Sequence, residues 1–444
     1  MSEGGQGQFR SFALARVPIP EGAAIHPNTA FLTYKVPLVR THQGLNLNLD
    51  IFYEYGIPGM SGLPQGWSFD IPYILDGRSL TINGRTYLID FDWMDSTGYA
   101  TGLKYINSDH KMFLRKILRR RGEPPGEGDV WEYELIQPNG LCVYFDAYGK
   151  PLENHVDNKS YLRYVFSGEK NAGLGSPGVR LESFEDPSTG RDLHVRFTYE
   201  GSKVKVGALL GKVAEISFDF EGVTAIKNSA GLETVFEYEA YMENMPMKAI
   251  SKIIYPTGIS SRYEYETTEF WDGSGRRRYL PSVSHHYRLD ENEKVQEHTE
   301  YMVSGLAIGN TFTGFNFELK MAGNTDSPMD GDGDLLNFAY DVIQIVYDND
   351  GNSTSQITIW FNSYHLPTQI VRWKVGDKGE LTEGWKTTYS YDIPVDDRAR
   401  TVNYQHPVSI EDSDREGDGG WKPRAPLSKE EHDERSKLAS SYVW

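Results

Sequence analysis

Residues 218–239 read FDFEGVTAIKNSAGLETVFEYE, an aromatic–Asp–x–x–Gly group followed by a polar stretch and then alternating aromatics around acids. Related stretches recur: FDAYGKPLENHVDNKSYLRYVF from Phe145, FEDPSTGRDLHVRFTYEG from Phe184, YPTGISSRYEYE from Tyr255 and YDNDGNSTSQITIW from Tyr347. Gly231 precedes Tyr238, and Gly258 precedes Tyr265, by the same interval. Asp accepts local backbone hydrogen bonds and Gly supplies the positive φ of a tight turn. The alternating Phe and Tyr then place rings on one face of the strand that follows. Hairpins of this kind have no private core and must stack on their neighbours to bury those rings. The spacing therefore predicts an all-β fold: an extended antiparallel sheet of hairpin repeats whose strands neighbour one another in chain order.

Composition agrees. The 444 residues include 28 Tyr and 44 Gly, with 13% aromatic residues, which favours strands and tight turns over packed helices. The net charge of −18 argues against nucleic acid or an anionic membrane surface as a partner. Against that trend, Arg119, Arg120 and Arg121 form a basic cluster, but the GEPPGEGD that follows reads as a solvated loop. Cys142 is the sole cysteine, so no intramolecular disulfide forms, and its apolar alternating context reads as a small hydrophobe. No apolar run reaches the roughly 20 residues of a membrane span. The N-terminus lacks the pattern of a cleaved leader, so synthesis in the cytoplasm, with any export by a non-classical or toxin-secretion route, is the expectation.

FDAYG, FDFEG and YDNDG resemble the YD repeats of the RHS family, the shell-forming proteins that include the B and C components of bacterial toxin complexes and the teneurins. KVPLVRTHQGLNLNLDIFYEYG, GLPQGWSFDIPYI and LTINGRTYLID resemble the segment that leads into the repeats of such proteins. The likeness covers roughly residues 30 to 400. It implies a partial RHS-like shell, divided as a flexible arm over 1–28, lead-in strands over 29–140, the YD-repeat sheet over 141–408, and an acidic, mostly mobile tail over 409–444. In that tail LSKEEHDERSKLA carries a helix-capping pattern from Ser428 to Glu431. The chain departs from the toxin shells in lacking their self-cleaving Asp–Pro–x–Gly segment. It is also shorter than a complete shell.

Candidate chemistry is sparse. Asp330, Asp332 and Asp334 alternate in DSPMDGDGDLLNFAYD, and Asp341 is the twelfth residue counted from Asp330, a spacing that suggests Ca2+ ligands. Leu335 stands where such a loop needs Gly, and Asp341 replaces the usual bidentate Glu, so a solvated acidic loop is the competing reading. Trp67 is the candidate ligand-binding ring, set against a structural role closing the first strands. His285 and His286 are adjacent and so point to opposite faces of a strand.

No catalytic residue can be nominated. The leading expectation is a non-enzymatic RHS-like β-scaffold, either part of a toxin-type encapsulating shell or a module that binds a protein partner or carbohydrate. The alternative is a carbohydrate-active hydrolase or lyase with an open groove on the curved sheet, which needs two carboxyl groups at a set separation. An open sheet edge would recruit a second polypeptide or a second copy of the chain, unless the acidic tail guards it.

Overall fold

The computed structural model describes residues 23–25, 30–40, 48–55, 59–75, 79–82, 85–89, 103–104, 112–116, 132–137, 139–157, 159–169, 172–186, 191–208, 211–241, 248–271, 277–304, 339–362, 367–376, 379–391, 395–396, 401–402, 409–416, 422–423 and 431. They divide into two compact units, Tyr34–Phe236 and Met1–Thr33 with Glu237–Trp444. The fold is all-β and antiparallel, as the repeat pattern predicts. Among the described residues no helix is long and apolar enough to cross a membrane.

In the Tyr34–Phe236 unit a run of strands follows chain order. It passes through Phe113–Lys116, Tyr133–Ile136, Leu141–Phe145, Pro151–Val156, Lys159–Ser167, Arg180–Asp186, Arg191–Glu200, Lys203–Ala208, Gly211–Phe218, Val223–Asn228 and into Glu233–Glu239. Each strand pairs antiparallel with the next, and the short turns that join most of them favour that partner. The lead-in strands up to Lys104 do not join this run, whereas the last two of that region, Phe113–Lys116 and Tyr133–Ile136, begin it. Leu32–Arg40, Asn48–Glu54 and Trp67–Phe69 belong to one four-stranded sheet, and Tyr73–Leu75, Ser79–Ile82, Arg85–Ile89 and Leu103–Lys104 form another. The expectation of a single continuous sheet system is corrected on this point. Both small sheets contribute apolar side chains to a core shared with the long run: Ile74, Leu80 and Ile82 pack with Leu114, Leu135 and Phe145, and the Phe69 ring lies 5.1 Å from Phe197.

In the other unit a run of strands passes through Ala249–Ile254, Ser260–Trp271, Arg277–Leu289, Val295–Ser304, Ala339–Tyr347, Ser353–Asn362, Pro367–Val375, Leu381–Ser390, Ser409–Glu416 and Lys422–Pro423. Within each unit the first and last strands of the run do not pair with each other. Tyr340, Val342, Ile359, Phe361, Ile370 and Tyr389 form the buried core of this second unit.

Strands lie within both terminal stretches. Ser409–Glu416, read as the start of a mobile tail, is a strand in full register with Leu381–Ser390, and Ile410 and Asp412 are buried. The alternation of Ile410, Asp412 and Asp414 with the residues between them meets the two-residue period of the sheet, which the acidic composition masks. Ala23–Ile25, placed in the arm, is a strand beside the start of Leu32–Arg40, where the Thr33 hydroxyl donates to the Ala24 carbonyl at 3.3 Å. Of the proposed C-terminal helix only Glu431 is described. Arg119–Arg121 also lie outside the described residues.

One turn recurs among the described residues. Starting at Gln137, Asp146, Asn228, Tyr255, Asp290, Asp348 and Gly376, the first residue's N–H donates to the carbonyl four residues on, and its carbonyl accepts from the N–H three residues on, at 2.7–3.1 Å. The residue in that fourth place has positive φ: Gly140, Gly149, Gly231, Gly258, Glu293, Gly351 and Gly379 lie between 62° and 85°. This is the three-residue hairpin loop in which a left-handed residue makes a bulge and lets the strands keep their twist. At Asp146, Asn228, Asp290 and Asp348 the side-chain oxygen Oδ1 also takes two backbone N–H groups, at 2.9–3.0 Å. FDFEG departs from this. Asp219 N–H donates to Gly222 O, one residue nearer, and Gly222 has a φ of 159°. Within the stretch 218–239, the recurring turn is the one formed by NSAGL at Asn228.

Candidate functional site

The densest set of polar rings lies on the half-exposed face of four neighbouring strands in the second unit. Strand register places Arg262, Tyr287, His298 and Tyr347 directly opposite one another in a cross-strand row. The guanidinium of Arg262 sits 4.4 Å from the Tyr287 ring centre. Tyr287 stacks on His298 at 4.5 Å and His298 on Tyr347 at 4.9 Å, with interplanar angles of 9° and 15°. Glu264, His285 and Glu300 form the next row on the same face. His285 Nδ1 and His298 Nε2 are 3.0 Å apart and share a hydrogen bond. The Tyr347 hydroxyl donates to Glu300 Oε2 at 2.6 Å, and Tyr287 reaches toward Glu264 at 3.5 Å. Burial and the Glu300 carboxylate push Tyr347 up to about 12, so its hydroxyl remains a donor at neutral pH. The faces of the Tyr287 and His298 rings are taken up within the row, between Arg262 at one end and Tyr347 at the other.

The opposite face of the same strands is buried and polar. His286 is 3% exposed, stacks on Tyr263 at 4.9 Å, and lies 3.2 Å from Ser261 Oγ through Nε2. A serine beside a histidine has the outline of a nucleophile and its base. Here it is inert: both are closed off from solvent, no group among the described residues orients Nδ1, and burial pulls the imidazole down to about 4, too weak a base to activate the hydroxyl.

Buried carboxylates also gather in the Tyr34–Phe236 unit. Asp50 and Asp70 both meet the Lys35 ammonium, at 3.2 Å and 2.5 Å, as an ion cluster at the edge of the core. Burial alone would lower the Lys35 pKa, but the two carboxylates outweigh it and lift it above the usual range. Burial raises Glu54 to about 7, the kind of shift a general acid needs. Yet Asp50 is four residues away along the same strand, about 13 Å at strand rise, beyond the spacing of a glycosidase pair.

The residues singled out from sequence fall as follows. Trp67 is fully buried, 5.0 Å from Phe236, 5.4 Å from Tyr53 and 6.2 Å from Tyr34, so no face of its ring is open to a ligand. Asp330, Asp332 and Asp334 lie outside the described residues. Asp341, placed in the same loop, belongs instead to the strand Ala339–Tyr347 and pairs in register with Ser304 and Trp360, because AYDVIQIVY alternates as a strand. Among the described residues no group of three or more His, Cys, Asp or Glu side chains converges to hold a metal ion. Cys142 is a half-buried strand residue whose thiol is pushed up by burial and by Glu134, which keeps it protonated and unreactive. His285 and His286 do face opposite sides. What sequence reading missed is His298, brought to His285 by a hairpin whose turn begins at Asp290. Glu293 occupies the left-handed position there, so the glycine that marks the other turns is absent.

No protein-family model matches the chain, and no curated protein does. Among solved structures the chain is similar to the TcdB2–TccC3 complex, with a TM-score of 0.18 and 10% identity over 90% of this chain and 22% of that one. It is similar also to the Photorhabdus luminescens Tc holotoxin pore carrying a mutated TccC3, with a TM-score of 0.19 and 10% identity over 90% of this chain and 23% of that one. Both are weak structural neighbours belonging to the Tc toxins, and the chain spans less than a quarter of either one's length.

Proposed function

We propose that this chain is a non-enzymatic, RHS-like β-scaffold that serves as one protein component of a toxin-type assembly. The observation that carries this reading is the recurrent turn: the same hydrogen-bond pattern, with Asp or Asn capping it at four sites, occurs in each of the two units between strands adjacent in the chain. Such a run propagates by adding hairpins and offers sheet surface and strand edges, the elements a scaffold uses. The YD-like motifs on those turns favour the RHS family over other hairpin arrays. A protein partner fits better than carbohydrate, since Trp67 is closed and the ring row of the second unit stacks upon itself.

Size-exclusion chromatography with light scattering tests the partner directly. We expect the purified chain to associate with itself or with a co-expressed neighbouring toxin component, and removal of residues 409–444 to enhance association by uncovering Leu381–Ser390. A chain that stays monomeric and soluble in both forms overturns the need for a partner. Turnover of a glycan or peptide by the purified chain overturns the non-enzymatic reading.

A further inference from the structure

We propose that His285, His286 and His298 make the hairpin of Arg277–Leu289 and Val295–Ser304 a proton-sensitive element, which loosens in mild acid while the Tyr34–Phe236 unit stays closed. The three imidazoles sit on two adjacent strands and straddle the sheet, two on its half-exposed face and one on its buried face.

On the buried face His286 has nowhere to put a charge. From Ser260–Trp271 it meets Ser261 and the Tyr263 ring, and from Val295–Ser304 it meets Thr299, which lies directly opposite. Among the described residues its Nδ1 has no hydrogen-bond partner, and neither has the Thr299 hydroxyl, which is 1% exposed. The charges that bear on it are Arg288, on its own strand, and His298. Arg288 faces Glu297 across the strands, and that carboxyl is itself pushed up by burial. A second proton on His286 would be a buried cation with no hydrogen-bonded anion.

On the half-exposed face one hydrogen bond links His285 and His298, so a single proton lies between the two facing nitrogens. The groups around them are Arg262 and Glu264 from Ser260–Trp271, Tyr287 beside His285, Glu300 beside His298, and Tyr347 from Ala339–Tyr347. Glu264 and Glu300 accommodate one added charge. Another leaves two N–H groups aimed at each other in a stack that already ends on the Arg262 guanidinium.

Burial, then Arg288 and His298, hold His286 down to about 4, and burial followed by His285 holds His298 below its ordinary value. Folded-state values below the unfolded value of about 6.5 mean that the stabilising contribution is complete above that pH. It is lost as pH falls from about 6.5 toward 4. In the Tyr34–Phe236 unit, His155 Nε2 lies 2.9 Å from the Glu153 carboxylate, the counter-anion that His286 lacks.

Hydrogen exchange of the full chain at pH 7 and pH 4.5, corrected for the intrinsic pH dependence of amide exchange, tests the proposal. Peptides spanning 277–304 are expected to lose protection by about tenfold or more, and peptides spanning 133–167 by less than about threefold. Equal loss in both regions, or none in 277–304, overturns it. His286→Phe keeps the stack on Tyr263 and removes the titration, so it should flatten the response, and an unchanged response would count against the trigger. The wild-type chain also answers without any variant: in a histidine-labelled NMR titration, His286 titrating at its ordinary value overturns the proposal, and titration near pH 4 supports it.

Discussion

The turns Asp146–Lys150 and Asp348–Asn352 are two copies of one object set in different surroundings. In each, Oδ1 of the aspartate takes two backbone N–H groups at 2.9 Å, and the glycine adopts a φ near 80°. Asp348 stands in solvent, and those hydrogen bonds, that of Asn352 first, hold its carboxyl below the usual range. Asp146 is mostly buried beside Lys150, 3.3 Å away, and burial raises its carboxyl despite the same hydrogen bonds. Gly149 also presses on the Ile74 backbone: its carbonyl accepts from Ile74 N–H at 2.9 Å, and an added Cβ would lie 1.8 Å from Ile74 O. Around Gly351 nothing lies within 4 Å of such an atom. Local geometry is the same in the two copies, and burial alone turns one of them into a contact that fastens the lead-in strands to the long run.

The largest way to break this comparison is the glycine. Gly149→Ala adds left-handed strain of about 1–2 kcal/mol and a clash with backbone that costs about 1–3 kcal/mol more. We expect a loss of about 2–5 kcal/mol in the Tyr34–Phe236 unit by denaturant unfolding. Gly351→Ala carries the strain alone, about 1–2 kcal/mol. Comparable losses in the two variants would show that the Gly149 contact is not tight.

The aspartates separate next. In a carboxyl-carbon NMR titration Asp146 should titrate above its ordinary value and Asp348 below it. The linkage then has opposite signs. Stability from Asp348 is present above its unfolded pKa of about 4 and is lost as pH falls through its lower folded value. The Asp146 contribution is greatest in acid and diminishes as pH rises through its higher folded value. Titration of the two at the same pH would remove the effect of burial from the account.

The smallest effect is a gain. Glu293 holds φ 62° at the place where most copies have glycine, and its exposed pairing with Lys252 at 2.5 Å offsets little of that strain. Glu293→Gly should raise the melting of the second unit by roughly 1–3 °C, read by calorimetry. A fall in melting temperature would mean that the Lys252 pairing outweighs the backbone strain.

Much of the fold was legible because its signals are local. FDAYG, NSAGL, YPTGI and YDNDG each contain a residue that can cap or begin a turn and a glycine that can take positive φ, and the strands between them alternate. Where the glycine is replaced, at Glu293, the turn was not read, and the partnership of His285 with His298 was lost with it. Where acids crowd a strand, in SIEDSDRE, charge hid the period. Asp341, counted with Asp330, Asp332 and Asp334 in one loop, is a strand residue, because AYDVIQIVY alternates, and the other three lie outside the described residues.

The sequence by itself determined the class of fold, the chain-order pairing of neighbouring strands and the opposite facing of His285 and His286, since each follows from a two-residue period and short turns. Only the tertiary structure decided that the lead-in strands form their own sheets, that Trp67 is closed by Tyr34, Tyr53 and Phe236, and that His286 is buried without a counter-anion. Those outcomes depend on which sheet face is covered, and by what. A period of two residues says that a strand has two faces, but burial is a property of the residues brought over each face from far along the chain.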